Sequence, residues 1–170
     1  MSPETATYST TVPADVVFTV TGAESITSIK KGASTVASSN YVFSGNKFGA
    51  TLKFKKEYLA TLSGDPVEFT IATDNGTITA TINLLDITPT SGTFSKADPA
   101  DVEFAVTGAE EVTGVKNGDT ALTDEQYTFD DTDGTLVIDA DYLGALDNGD
   151  AALTITTDTG TASVTITVGA

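Results

Sequence analysis

The chain repeats itself. Residues 2–32 read SPETATYSTTVPADVVFTVTGAESITSIKKG, and residues 88–118 read TPTSGTFSKADPADVEFAVTGAEEVTGVKNG, the same pattern 86 positions later without a gap. Pro13-Ala14-Asp15-Val16 falls on Pro99-Ala100-Asp101-Val102, and Thr21-Gly22-Ala23-Glu24 on Thr107-Gly108-Ala109-Glu110. Tyr41 and Phe43 still fall on Tyr127 and Phe129. The offset then drops to 84, pairing Tyr58-Leu59 with Tyr142-Leu143 and Asp74-Asn75-Gly76 with Asp158-Thr159-Gly160. The missing two residues lie between Ser44 and Thr51, which predicts a loop tip there. The expected domains are therefore 1–85 and 86–170. The short join between them predicts a fairly fixed, end-to-end pair.

Each copy has the periodicity of strands. Val16, Phe18 and Val20 alternate with Asp15, Val17 and Thr19, as do Val102, Phe104 and Val106 with their neighbours. Period two with one apolar face marks a half-buried strand. Leu52 and Phe54, Leu136 and Ile138, Val67, Phe69 and Ile71, and Ala80, Ile82 and Leu84 continue the pattern. Asp74-Asn75-Gly76 is a hairpin turn by its chemistry, because Asn and Gly tolerate positive φ. The spacing of three between Ile26 and Ile29, and between Val112 and Val115, breaks alternation and predicts a bulge or short coil. Tyr58, Leu59 and Leu62, with Tyr142, Leu143 and Leu146, have helical spacing instead. A single turn crossing one end of a sandwich, with its Tyr hydroxyl tied to backbone, is expected at each. The fold class is all-β: two tandem immunoglobulin-like β-sandwich domains, each with a short helical turn between late strands.

These motifs together resemble the X2 family of immunoglobulin-like modules. The resemblance rests on Ile87-Thr88-Pro89, Phe94-Ser95-Lys96, Pro99-Ala100-Asp101-Val102, Gly114-Val115-Lys116-Asn117-Gly118, Tyr127, Tyr142-Leu143 with Leu146, and Gly149. Copy one has Tyr8-Ser9, Pro13-Ala14-Asp15-Val16, Ser28-Ile29-Lys30-Lys31-Gly32, Tyr41 and Tyr58-Leu59 with Leu62. The resemblance covers the chain twice and implies the fold; modules of this kind serve as spacers, adhesins, sugar binders and virion decorations. The stretch MSPETATYSTTVPADV lacks a basic run followed by an apolar one, so it does not read as a signal peptide. Met1 falls where Ile87 falls in the second copy, which suits a complete two-domain protein or a piece trimmed to domain borders. The leading expectation is a non-enzymatic phage capsid decoration protein on the virion surface, made in the host cytoplasm, with a capsid protein as partner. The alternative is an extracellular or cell-surface spacer or accessory module of a cellulase, scaffold or surface protein, with surface glycans as further candidate partners.

Charge divides the copies. Residues 1–85 hold 6 Lys and 7 acidic residues, net -1; residues 86–170 hold 2 Lys and 17 acidic residues, net -15. A near-neutral domain approaches another protein without long-range repulsion, while an acidic one stays solvated. This marks the first domain for docking and the second as the outward one. Lys47, Lys53, Lys55 and Lys56 form the candidate docking patch, with Lys53 and Lys55 opposite Leu52 and Phe54. The plain alternative is an ordinary solvated strand face.

Composition closes off other chemistry. The chain has no Cys, His, Trp or Arg. That removes thiol catalysis, disulfides, the commonest general base and the usual zinc ligands. A net charge of -16 repels phosphate backbones, so no nucleic-acid partner is expected. No apolar run is long enough to insert in a membrane. Abundant Asp in turns has structural uses, so a carboxylate pair by itself does not indicate a glycosidase. Asp130-Asp131-Thr132-Asp133-Gly134 has the opening of a calcium loop but not its closing Glu, and reads as a hairpin turn. No catalytic residue, cofactor or metal is expected. Sugar binding needs accessible rings; Tyr8, Tyr41, Phe48 and Tyr127 are the aromatic residues not already assigned to cores or corners.

Overall fold

A computed structural model describes residues 1–170. Contacts divide the chain into two compact units. The first is Met1–Tyr8 with Pro13–Leu84, and the second is Ser9–Val12 with Leu85–Ala170.

The first unit is built from β1 (Thr5–Ser9), β2 (Val16–Val20), β3 (Ile26–Lys31), β4 (Ser34–Thr35), β5 (Tyr41–Asn46), β6 (Gly49–Phe54), the turn α1 (Lys56–Leu59), β7 (Val67–Thr73) and the early part of β8 (Gly76–Thr88). One sheet has the order β2-β6-β5 and the other β4-β3-β7-β8, with β1 also paired to β8. The register sets Val16 opposite Phe54, Phe18 opposite Leu52 and Val20 opposite Ala50, and all six are buried. Facing them from the other sheet are Ile29, Val67, Phe69, Ile71, Ala80 and Ile82. Phe54 bridges the two layers. Its ring lies edge-on to Phe18 at 6.1 Å and tilted against Phe69 at 4.6 Å. The period-two pattern thus creates the sandwich, because burying each such ring is worth roughly 1.5–3 kcal/mol.

The second unit repeats this with β9 (Ser91–Ser95), β10 (Val102–Thr107), β11 (Val112–Asn117), β12 (Thr120–Ala121), β13 (Tyr127–Asp130), β14 (Thr135–Ile138), α2 (Ala140–Ala145), β15 (Gly149–Thr157) and β16 (Thr161–Gly169). The sheet β12-β11-β15-β16-β9 faces β13-β14-β10, to which residues 86–88 of β8 add. Phe104, Leu136, Ile138, Leu143, Leu153, Ile155 and Ile166 fill a core of their own. Within this unit Ser163 N donates to the Thr11 hydroxyl at 2.9 Å, so the Ser9–Val12 segment groups with the second sandwich although it lies in the first sequence repeat.

The repeated motifs hold equivalent joints. Asp15 accepts from Lys56 N at 3.0 Å and Asp101 from Ala140 N at 2.9 Å, which anchors the start of each helical turn. Asp74 accepts from Glu24 N and Ser25 N, and Asp158 from Glu110 N and Glu111 N, clasping a hairpin to the loop before β3 or β11. Thr73 pairs with Gly76 across the expected two-residue turn. The broken alternation at Ile26 and Val112 is a β-bulge in both units. The expected tip between Ser44 and Thr51 is the hairpin turn Lys47-Phe48, closed by Asn46 opposite Gly49.

The helical-turn tyrosines differ from expectation. The Tyr142 hydroxyl accepts from the Asn117 side-chain amide at 3.2 Å rather than bonding to backbone. The first unit has Lys31 at the position of Asn117, and its ammonium reaches Ser63 O instead. Tyr58 there packs its ring 6.3 Å from Phe69. Asp139 caps α2 by accepting from Asp141 N and Tyr142 N, whereas Lys55 offers α1 no side-chain cap, and α1 is the shorter turn.

Candidate functional site

The four lysines of the expected patch occupy two places. Lys53 lies on the outward side of β6, opposite Val17 and Val42, and its ammonium is 3.1 Å from the Asp15 carboxylate. Lys55 and Lys56 follow at the entry to α1. Lys47 sits at the β5–β6 tip, at the other end of β6, with its ammonium 3.9 Å from Glu24 and 5.5 Å from the centre of the Phe48 ring. Two of the four cations therefore already face a carboxylate of their own domain.

A concavity lies in the second domain. It is an open cleft of about 750 Å³ lined by Glu110, Glu111, Val112, Asp124, Tyr127, Thr128, Phe129, Asp131 and Asp158. Its walls are the loop before β11, the turn before β13, β13 itself, the start of the β13–β14 turn and the β15–β16 turn. Gln126 fixes the middle wall: its side chain accepts from Thr123 N, and its backbone N–H donates to Thr123 O. Asp158 is held by its two backbone donors, and Asp130 and Asp133 accept from Thr132 N and Thr135 N of their own turn. Tyr127 and Phe129 are half-buried, packed on the core with their outer parts in the cleft. Burial, with the Asp124 charge second, pushes the Tyr127 hydroxyl above its ordinary pKa. Carboxylates accept hydrogen bonds and rings offer apolar faces, so the cleft suits a neutral, hydroxyl-rich ligand. In the first domain the positions of Glu110, Glu111, Asp124 and Asp158 carry Glu24, Ser25, Ser38 and Asp74, so two of those four carboxylates remain, and Asp131 falls in the tip where the copies differ in length.

The remaining aromatic candidates separate by burial. Tyr8 is a core residue at 2% exposure, which removes it from the candidate rings; its equivalent, Phe94, is also buried. Tyr41 is half-buried like Tyr127. Phe48, by contrast, is 84% exposed. The carboxylates with displaced pKa values, Asp15 and Asp74, are both lowered, chiefly by backbone N–H donors. That is the reverse of what a general acid needs. No helix is long and apolar enough to cross a membrane.

Comparison with known proteins gives this geometry a context. Residues 87–168 match the family described as carbohydrate binding domain X2. Among solved structures, a tri-modular endo-β-1,4-glucanase from Bacillus licheniformis, complexed with cellotetraose, is 18% identical; the match covers 98% of this chain and 38% of that one, with a TM-score of 0.42. The tri-modular endo-β-1,4-glucanase B of Bacillus halodurans is 12% identical, over 96% of this chain and 34% of that one, with a TM-score of 0.41. A three-domain immunoglobulin fragment of titin is 17% identical, over 96% and 62%, with a TM-score of 0.42. No curated protein matches the sequence. The virion-decoration reading, with its capsid partner, finds no support in these matches; it leaned on the tandem immunoglobulin-like pattern and the lack of a signal peptide, and a fold does not identify a partner. The family match instead favours the carbohydrate-associated alternative. Residues 87–168, just under half of the chain, are thus similar to the carbohydrate binding domain X2 family.

Proposed function

We propose that the chain is a non-catalytic accessory module of an extracellular carbohydrate-handling protein or assembly, and that the cleft of its second domain holds a single glycan chain. One observation carries the reading: the carbohydrate-binding family match falls on residues 87–168, the domain that contains the cleft. Its volume of about 750 Å³ suits a ligand of a few sugar units, since small-ligand sites run from about 300 to 1,000 Å³. Sugar hydroxyls would donate to Glu110, Asp124 and Asp131, while Tyr127 and Phe129 would contact the apolar ring edges.

Affinity electrophoresis through soluble glucans, xylans and mixed-linkage glucans tests the cleft. The expected result is retardation in at least one of them, reduced about tenfold in affinity by the pair D124A and D131A. Free migration in every soluble glycan, together with no retention on any insoluble one, would remove the reading.

A further inference from the structure

An asparagine followed by glycine can react with its own backbone. The nitrogen after the Asn reaches its side-chain amide carbon, and Gly puts no Cβ in the way. The chain has three such pairs: Asn75-Gly76, Asn117-Gly118 and Asn148-Gly149. The fold holds two of them. Asn75 sits in the two-residue turn between Thr73 and Gly76; its side-chain amide donates to Gly22 O at 3.0 Å, and its backbone N–H to the Thr73 hydroxyl at 3.2 Å. That hydroxyl donates in turn to Gly76 O at 2.9 Å. Asn117 ends β11, set between Leu153 and Thr120, and its amide donates to the Tyr142 hydroxyl at 3.2 Å. Each of these amides must give up a hydrogen bond before its carbon can turn toward the glycine nitrogen.

The third pair is not held. Asn148 lies in the bend between α2 and β15, exposed to solvent, and its side chain makes no hydrogen bond. Gly149 opens β15 opposite Val168. It has no partner strand on its other side, because β11 ends at Asn117, opposite Leu153. The end of a strand opens more readily than its middle. Gly149 has a φ of +133°, so the backbone itself calls for glycine after Asn148. The first domain carries Gly64-Asp65 at these two positions, so the pair belongs to the second domain alone.

We infer that Asn148 is a site of spontaneous covalent modification, with water as the only reagent. The Gly149 nitrogen bonds to Asn148 Cγ as the Cγ–Nδ2 bond breaks. Ammonia leaves, carrying the proton of the Gly149 N–H, and a succinimide ring closes. Water then opens either ring carbonyl, leaving an aspartate or an isoaspartate at position 148. The balance is a water taken up and an ammonia released, with nothing oxidised or reduced. Either product adds a negative charge between Asp147 and Asp150, and the isoaspartate also lengthens the backbone where it enters β15. The second domain thereby gains a charge mark that accumulates with time. No residue of the cleft takes part, so the inference stands apart from the glycan reading.

The test is storage of the full chain in warm, mildly alkaline buffer, with isoelectric focusing to follow charge and peptide mass mapping to locate it. The expected result is an acidic shift traced to position 148. Asn148 should convert about fivefold faster than Asn75 or Asn117, the factor that one side-chain hydrogen bond supplies. N148Q should lose the shift. Y142F keeps the ring but frees the Asn117 amide, and should speed conversion at Asn117 about fivefold. In urea, where no fold protects any of them, the three rates should converge. Conversion of Asn75 or Asn117 in the folded chain as fast as that of Asn148 would overturn the inference. So would an Asn148 that stays intact while the urea-unfolded chain converts. A ranking that persists in urea would assign the order to local sequence, and an Asn117 rate unmoved by Y142F would remove the hydrogen bond as its cause; either result also counts against it.

Discussion

At the residue scale, the sharpest distinction is between side chains repeated for structure and side chains free to differ. Asp15 and Asp74 have folded pKa values below the ordinary 3.8 because backbone N–H groups stabilise the charged forms. Their contribution is therefore complete above the unfolded pKa and lost as pH falls through the folded value. Denaturation of the first domain followed from about pH 5 to about pH 2.5 should show this decline, and the pair D15N and D74N should flatten it. Core residues act through packing instead. Phe54 is fully buried between Phe18 and Phe69, so F54A should cost about 3–5 kcal/mol in urea unfolding of the first domain. Gly134 has a φ of +73°, and a Cβ would lie 2.5 Å from Val106 O, so G134A should destabilise the second domain by more than about 1 kcal/mol.

At the element scale, much of the fold was legible in the strand pattern. Val16, Phe18 and Val20 showed an inward face, Asp74-Asn75-Gly76 a tight turn, and the two-residue gap a tip; each reflects local chemistry acting over a few residues. What was not legible depended on groups brought together from far along the chain. Pro13-Ala14-Asp15 is visible as a repeated motif, but its role depends on Lys56 N, which lies 3.0 Å from the Asp15 carboxylate and 41 residues along the chain. Tyr142 meets the Asn117 side chain 25 residues away, a partner that no periodicity announces. The cleft is not legible in the sequence for the same reason, because Glu110, Asp124, Asp131 and Asp158 come from four separate connections. The lysine cluster was visible as composition, but its ion pairs with Asp15 and Glu24 were not. The β5–β6 tip is now the element to change. Replacing Phe48 by Thr should move the melting midpoint by no more than about 2–4 °C while removing the exposed ring, because Phe48 buries almost nothing.

At the scale of the whole molecule, two cores are filled by two similar residue sets, yet their surroundings differ by fourteen charges, from -1 to -15. Self-repulsion within one sandwich is screened by salt. Calorimetry at about 10 mM and about 200 mM salt should therefore raise the second domain's transition by a few degrees and leave the first almost unmoved. The bulges at Ile26 and Val112 bear on a different hazard of Thr-rich sandwiches. β4 and β12 are two residues long and cover only the far ends of β3 and β11, so the bulged ends have an open margin. A kink at that margin spoils the regular ladder that an incoming strand would need. Copies held close together are therefore kept from adding strands edge to edge at that margin, and both halves of the chain carry the same irregularity.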